Sequence, residues 1–220
     1  MKISILSLFP PMFNGFLTES IVKRAMTNEK VQIEVIDFRD FSNLNNRQVD
    51  DTPYGGGSGM VLRCEPIFDC IDAIRSKDAY IILTCPTGKT YTQKQAQNLA
   101  KKKHLIIICG HYEGFDERIK ILADEIISIG DYVLTGGELP AMIITDSIVR
   151  LLDGVISKES LASESFNQDL LDYPVYTKPA IYRDMAVPAV LLSGNHAKIA
   201  AYRMSERIRL TNEKRPDLKP

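Results

Sequence analysis

The amino-acid sequence predicts an α/β fold with a mostly parallel sheet that is covered by helices on both faces. Three observations carry this prediction. Five short apolar segments alternate with segments of helical periodicity up to residue 152. The apolar segments are continuous runs, such as residues 105–109, which is typical of strands buried on both faces. The chain of 220 residues is also long enough to bury roughly 70% of its unfolded surface in one large core.

The predicted strands and helices follow one another along the chain. Strands are expected at residues 2–9, 31–38, 80–85, 105–109 and 124–129. Helices are expected at residues 12–26, 65–75, 93–103, 140–152 and 196–211. Pro66 and Pro140 fall in first helical turns, where a missing N–H is tolerated, and Thr92 with Gln95 makes a capping-box pattern. The spacing of four, three and four residues predicts that the last helix buries Ala197, Ala201, Met204 and Ile208.

Residues 43–59 form a long polar loop, and loops of this length inside compact domains are usually functional or disordered. Its glycine-rich end, residues 55–59, is not followed by Gly-Lys-Ser/Thr or by a helix, which excludes a Walker phosphate loop. For Arg47, Asp50 and Asp51 two interpretations stay open. They either cap turns within the loop or help to shape a binding pocket.

The character of the sequence changes after Gly154. We expect an α/β domain at residues 1–159, a flexible polar linker at 160–169 and a small helical domain at 170–220. The net charge of the whole chain is −1, which does not indicate a nucleic-acid binder. Residues 197–220, however, contain seven basic and three acidic side chains. This basic end indicates either a polyanionic partner or a solvated helix face.

Four cysteines are present, without a Cys-x-x-Cys pair and without histidine at ligand spacing. We therefore expect reduced thiols and no metal site. The N-terminal apolar run stops at Pro10-Pro11 and is interpreted as a strand, not as a signal peptide. No stretch is long enough to span a bilayer, so a cytoplasmic protein is expected.

Three glycine-containing loops follow predicted strands, at residues 84–88, 109–114 and 129–137. The carboxyl ends of parallel strands share one edge of a sheet, so these loops can surround one ligand. Backbone N–H and C=O groups with apolar walls suit a nucleoside. The common dinucleotide fold is disfavoured because Pro10-Pro11-Met12, not Gly-x-Gly-x-x-Gly, follows the first strand. His111 has no nucleophile to pair with and is interpreted as structural.

Several motifs resemble those of a known family. Residues 49–60, Gly110-His111-Tyr112-Glu113-Gly114 and residues 128–140 are similar to bacterial tRNA (guanine-37-N1)-methyltransferases of the TrmD type, in the SPOUT superfamily. Residues 170–179 and 187–196 extend the match over nearly the whole chain. The resemblance implies a trefoil knot in the α/β domain, tRNA binding by the C-terminal domain, and a homodimer with active sites at the subunit interface. It also implies methylation of N1 of guanosine-37, beside the anticodon, which supports reading-frame maintenance.

The resemblance further implies S-adenosylmethionine as the methyl donor, bound in the knot loops. The matching cofactor-binding positions are Pro86, Gly88, Gly110, Tyr112, Glu113, Gly114, Ile129, Gly130, Asp131, Tyr132, Val133, Leu134, Gly136 and Gly137. Assistance by Mg²⁺ is not readable from the sequence.

Three residues match the catalytic positions of the family. Arg150 matches the arginine that faces guanine O6, with an ion pair to Asp146 one turn earlier as the alternative. Glu164 takes the place of the family's aspartate in Asp-Ser-Phe and keeps the carboxylate of a general base. Asp172 matches a second family acid and is the other candidate for the base.

Two other functions stay open. One is an RNA-binding protein of the SPOUT fold without activity, which the glutamate at 164 favours. The other is a SPOUT methyltransferase acting on another RNA position, which residues 164–166 and 170–174 speak against.

Overall fold

A five-stranded sheet forms the centre of the first part of the chain in the computed structural model. The strands up to residue 156 are β1 (Lys2–Ser7), β2 (Gln32–Asp37), β3 (Asp50–Asp51), β4 (Val61–Leu62), β5 (Ala79–Thr90), β6 (His104–Ile108) and β7 (Glu125–Ser128). The central sheet has the order β2-β1-β6-β5-β7, and every neighbouring pair is parallel. The predicted mostly parallel sheet is therefore confirmed.

Helices cover both faces of this sheet. They are α1 (Asn14–Thr18), α2 (Ser20–Thr27), α3 (Cys64–Ile74), α4 (Gln93–Leu99) and α5 (Glu138–Val149). One apolar cluster joins the sheet to α2, α4 and α5, and a second joins the opposite face to α3. Each cluster contains fully buried branched side chains, such as Ile107 in the first and Ile106 in the second, which lie on opposite faces of β6. The capping box of Thr92 and Gln95 begins α4, as predicted.

Several predicted elements differ in their bounds, and α4, for example, ends at Leu99 instead of residue 103. The helix expected at residues 12–26 is divided into a 3₁₀ turn (Pro10–Phe13), α1 and α2, and Ser20 has a φ of +52° at the junction. The strand expected at 80–85 continues to Thr90, because Thr84 and Lys89 both pair with Ile127 and the residues between them bulge out. Helix α5 begins at Glu138, two residues before Pro140, which still lies in the first turn.

The long loop contains a small ladder. β3 pairs with β4 in antiparallel fashion, with Asp50 opposite Leu62 and Asp51 opposite Val61. Arg63 follows this ladder and donates to Asp51 at 3.0 Å and to Glu65 at 2.6 Å. The β3–β4 ladder and the ion pairs of Arg63 therefore hold the two ends of the exposed segment at residues 52–60.

A network of polar side chains lies at the amino-terminal ends of the strands of the central sheet. His104 is buried, with Nε2 2.9 Å from Ser4 Oγ and Nδ1 2.8 Å from Ser76 Oγ. Ser4 Oγ donates to Glu34 at 2.7 Å, and Lys2 pairs with the same carboxylate. Burial lowers the pKa of His104 below its ordinary value.

Residues 157–220 form a second compact unit. The structure describes residues 1–162 and 164–218, so Ser163 in the predicted linker and Lys219 and Pro220 in the predicted basic end lie outside the described residues. The elements of this unit are α6 (Lys158–Ala162), β8 (Ile181–Tyr182), β9 (Met185–Ala186), α7 (Ala189–Leu192) and α8 (His196–Lys214). The predicted linker begins inside α6, and its flexibility stays a prediction. Within the described ranges, no helix has the length and apolar character needed to cross a membrane.

The buried face predicted for the last helix is wrong. Met204 and Ile208 are each 43% exposed, whereas Arg207 and Thr211 are buried. Arg207 donates from Nε to the carbonyl of Leu171 and from Nη2 to the carbonyl of Asn167, both at 3.1 Å. The face of α8 that packs on residues 167–171 is polar because those backbone carbonyls require donors.

Candidate active site

Three loops meet around a cavity of about 260 Å³: the bulge at residues 85–88 within β5 and the segments that follow β6 and β7. Helix α5 closes one side, with Pro140 in the lining. Of the fourteen predicted cofactor residues, all except Gly88 and Asp131 line this cavity. Its walls combine apolar side chains with glycine backbone, as expected for a site that binds a nucleoside mainly through main-chain groups.

The two exceptions have different surroundings. Gly88 lies in β5, where a Cβ would sit 2.5 Å from the carbonyl carbon of Ile126. A side chain there would push β5 away from β7. Asp131 is exposed. Cofactor contact by Gly88 and Asp131 stays a prediction.

The loops are packed on each other at backbone distance. The N–H of Gly137 donates to the carbonyl of Gly110 at 2.7 Å. A Cβ at Gly137 would lie 2.5 Å from the nitrogen of Gly110 and 2.7 Å from Cα of Cys109. Glycine at 137 is therefore required for the second and third loops to meet, so a larger residue there would disturb the walls of the cavity as well as its interior.

Buried polar groups lie next to these loops. Glu138, the first residue of α5, is buried and accepts a hydrogen bond from Ser7 Oγ at 2.8 Å, and its charge is favourable at a helix amino terminus. Burial, with the nearby charge of Glu138, raises the pKa of the Cys109 thiol and keeps it protonated.

His111, interpreted from the sequence as structural, lines the cavity. Its ring centroid is 4.8 Å from that of Phe9 and 4.9 Å from that of Tyr112. Its Nδ1 is buried and finds no hydrogen-bond partner among the described residues. Local sequence patterns carry no signal for this arrangement, because Phe9 lies about a hundred residues earlier.

Of the three loop residues with two possible interpretations, two form ion pairs within the first unit. Asp51 binds Arg63 and accepts from the N–H of Thr52 at 2.8 Å. Arg47 forms ion pairs with Asp40 and Asp37. These contacts favour the interpretation of Arg47 and Asp51 as residues that hold the loop. Asp50 lies in the β3–β4 ladder, and its role stays open.

Arg150 does not line the cavity among the described residues. It is the C-cap of α5, ten residues after Pro140, and its N–H donates to the carbonyl of Asp146. At 1.5 Å per residue, about 15 Å of helix separates Arg150 from the cavity end of α5.

Glu164 and Asp172 are close in the second unit. The N–H of Asp172 donates to Oγ of Ser165 at 2.9 Å, which joins Asp172 to the neighbour of Glu164. Arg207 and Thr211 of α8 hold the intervening backbone, with Thr211 Oγ1 accepting from the N–H of Leu171 at 2.9 Å. The two candidate bases therefore lie on one hydrogen-bonded segment, residues 164–172.

All four cysteines are free thiols. No group of three or more histidine, cysteine or acidic side chains suited to a metal ion occurs in the part of the chain that the structure describes.

The sequence model of the family described as tRNA (Guanine-1)-methyltransferase TrmD matches residues 1–220. The chain belongs to this family. A TrmD relative from Geobacillus kaustophilus, named tRNA (guanine-N(1)-)-methyltransferase, is 56% identical over 99% of this chain and 91% of its own length. Relatives of the same name from Ureaplasma parvum and Bacillus subtilis are each 55% identical over 99% of this chain, and the matches cover 96% and 92% of their lengths. The resemblance inferred from the motifs is confirmed.

Proposed function

We propose that this chain is an S-adenosylmethionine-dependent tRNA (guanine-N1)-methyltransferase that acts on guanosine-37. The observation that carries the proposal is the match to the TrmD family over the full chain, with relatives of that name at 55–56% identity. Neither the inactive RNA-binding protein nor the methyltransferase for another RNA position is favoured by these relatives. The protein is expected to act in the cytosol, where tRNA is found.

The residues of the cavity fit S-adenosylmethionine. Pro86, Ile129 and Leu134 offer apolar contact for an adenine ring, and the glycine loops offer backbone groups for its edge. Glu113 adds a carboxylate at the lining, which suits a cationic ligand. When bound, S-adenosylmethionine supplies an electrophilic methyl group on its sulfonium sulfur.

The residues of the chain supply the proton transfer. Guanine N1 carries a proton at neutral pH, so a carboxylate must accept it before or during methylation. Glu164 is proposed as this base, with Asp172 as the alternative. Arg150 is proposed to stabilise the negative charge that develops on guanine O6.

A homodimer is proposed because Arg150 and the cavity lie at opposite ends of α5 within one chain. Helix α5 exposes Leu139, Ile143 and Asp146 at positions i, i+4 and i+7, and the two apolar side chains are 48% and 46% exposed. A two-fold interface pairs the same surface of both chains. Antiparallel packing of this face on itself would set Arg150 of each chain beside the cavity end of the other α5.

A trefoil knot is proposed for the three cavity loops. A threaded chain requires backbone segments to cross at close range. The contact of the Gly137 N–H with the carbonyl of Gly110, at 2.7 Å, brings two of the loops to this range and supports the proposal.

Residues 170–220 are proposed to bind tRNA through a small helical domain, with 160–169 as the linker from the knotted domain at 1–159. Lys178, Arg183 and Lys198 are exposed in this part of the chain and are suited to phosphate contacts.

The activity is tested by methyl transfer from labelled S-adenosylmethionine to unmodified tRNA, followed by mapping of the methylated position. We expect label at N1 of guanosine-37. In single turnover, Glu164→Gln should lower transfer about 100-fold or more and leave cofactor affinity unchanged. Glu164→Asp, which restores the family residue, should keep substantial activity. A near-native rate for Glu164→Gln together with a large loss for Asp172→Asn would transfer the role of base to Asp172.

The dimer is tested by mixing two inactive variants. Leu134→Asp places a charge in the apolar wall of the cavity, and Glu164→Gln removes the base. A heterodimer contains one site with both groups intact only if the cavity of one chain works with the base of the other. Partial recovery of activity is expected. Absence of recovery after confirmed subunit exchange would argue for a site within one chain.

A further inference from the structure

The exposed loop at residues 52–60 is fastened to the second cavity loop by backbone hydrogen bonds. The N–H of Glu113 donates to the carbonyl of Met60, and the N–H of Leu62 donates to the carbonyl of Gly114, both at 2.9 Å. β3 and β4 close the base of the loop. A rigid connection therefore runs from this loop to residues that line the cavity.

The side chain of Glu113 lies directly against the backbone of Gly59 in this connection. It has a φ of +82°, and a Cβ built on it would lie 2.5 Å from both Cγ and Oε1 of Glu113. Cδ of Glu113 would be at 2.9 Å. Because Cγ is the first atom beyond Cβ of Glu113, relief of this contact requires rotation about χ1, which moves the whole carboxylate.

The other end of the loop is open. Tyr54 is fully exposed, and a Cβ at Gly55 or Gly56 would meet nothing within 4 Å. Gly55 and Gly56 also have positive φ values, +87° and +80°. The loop therefore has one exposed end, residues 54–56, which a large substrate can reach. Its other end, residues 59–60, contacts Glu113 in the lining of the cavity.

We propose that Gly59 is a positioning residue for Glu113: its missing side chain leaves the space that the Glu113 carboxylate occupies, and the contact couples the loop at 52–60 to cofactor binding. The proposal rests on the proposed function, in which the cavity binds S-adenosylmethionine. Glu113 is exposed and would otherwise sample several rotamers, whose loss on binding reduces affinity. Backbone packing at Gly59 removes part of that freedom before the ligand arrives.

Gly59→Ala and Gly55→Ala form a matched pair for the test. Both glycines have nearly the same positive φ, so an alanine is strained similarly at each, and only position 59 adds a contact with Glu113. Binding of S-adenosylmethionine is measured by calorimetry for both variants and for the unchanged protein. We expect Gly59→Ala to bind about tenfold more weakly, as for the loss of one hydrogen bond to a charged group. Gly55→Ala should stay within about twofold of the unchanged protein.

Glu113→Ala completes a double-mutant cycle. If Gly59 acts through Glu113, adding Gly59→Ala to Glu113→Ala should cause no further decrease in cofactor affinity. An equal effect of the two glycine variants, or a decrease that persists in the Glu113→Ala background, would overturn the proposal.

The folded state of each variant gives a second measurement. If Gly59→Ala alone fails to fold, recovery of folding in the double variant would support the contact with Glu113. Failure of both, with Gly55→Ala folded, would overturn the proposal and assign Gly59 a backbone role. Absence of binding by the unchanged protein would instead contradict the proposed function.

Discussion

Replacing Arg207 with alanine is expected to destabilise the second unit by about 2–4 kcal/mol. Arg207 is 5% exposed, and its guanidinium donates to the carbonyls of Asn167 and Leu171. A hydrogen bond to a charged group contributes about 1.5–3 kcal/mol, and water that enters the vacated space replaces part of the two missing bonds. The released segment carries both Glu164 and Asp172, so methyl transfer should fall while cofactor affinity, which depends on the first unit, stays unchanged.

Arg209→Ala is the matched control on the same helix. Arg209 is exposed and forms ion pairs with Glu206 and Glu213, both at 2.8 Å, and solvent screening leaves such exposed pairs little effect on stability. Urea unfolding and limited proteolysis between residues 157 and 173 measure the difference between the variants. Unchanged stability for Arg207→Ala, with a weaker salt dependence of tRNA binding, would refute the internal role and indicate a phosphate contact.

Three further predictions concern pH, a thiol and salt. Because burial lowers the pKa of His104, the unfolded chain takes up a proton before the folded chain does, so stability should fall as pH decreases below about 6.5. A His104→Gln variant followed by thermal unfolding should lack this fall. Cys85 lines the cavity and should be alkylated in the free protein but protected by S-adenosylmethionine, whereas buried Cys109 should not react. Mass spectrometry of the alkylated protein measures both, and alkylation of Cys109 or unprotected Cys85 would contradict the prediction. Replacing exposed Lys178 and Lys198 with alanine should flatten the salt dependence of tRNA affinity by about 0.7–0.9 for each phosphate that is no longer neutralised, and an unchanged slope would place the tRNA-binding surface elsewhere.

The central sheet was predictable because its signal is local. Strands such as β6 are buried on both faces, so every residue after His104 is apolar and the run is visible without knowledge of the partners. The break between α1 and α2 was not predictable, since Ser20 has a backbone conformation that its residue type does not favour. The hairpin of β8 and β9 was missed for a similar reason. Its turn places Arg183 and Asp184 at positive φ, where Asn-Gly is the usual sequence signal.

The cavity was predictable from the order of three glycine loops after strands, whereas the polar contacts around it were not. In the sequence, Arg207 is one more basic side chain on an exposed helix, and its partners are backbone carbonyls that carry no sequence signal. The same limit applies to Gly59. The glycine-rich motif is visible in the sequence, but its contact with Glu113 depends on how residues 59 and 113 meet across the fold.

Helix α5 explains why one chain is not expected to contain the whole reaction. A helix is a rigid spacer, so the about 15 Å between Pro140 and Arg150 cannot be closed by side-chain rotation alone. The exposed face that carries Leu139 and Ile143 lies between these two ends, and burying it against a second α5 would remove apolar surface from water. If the two helices run antiparallel, each arginine moves to the cavity end of its partner. The position of Arg150 on α5 and the apolar face of that helix therefore support the same two-fold arrangement by independent physical arguments.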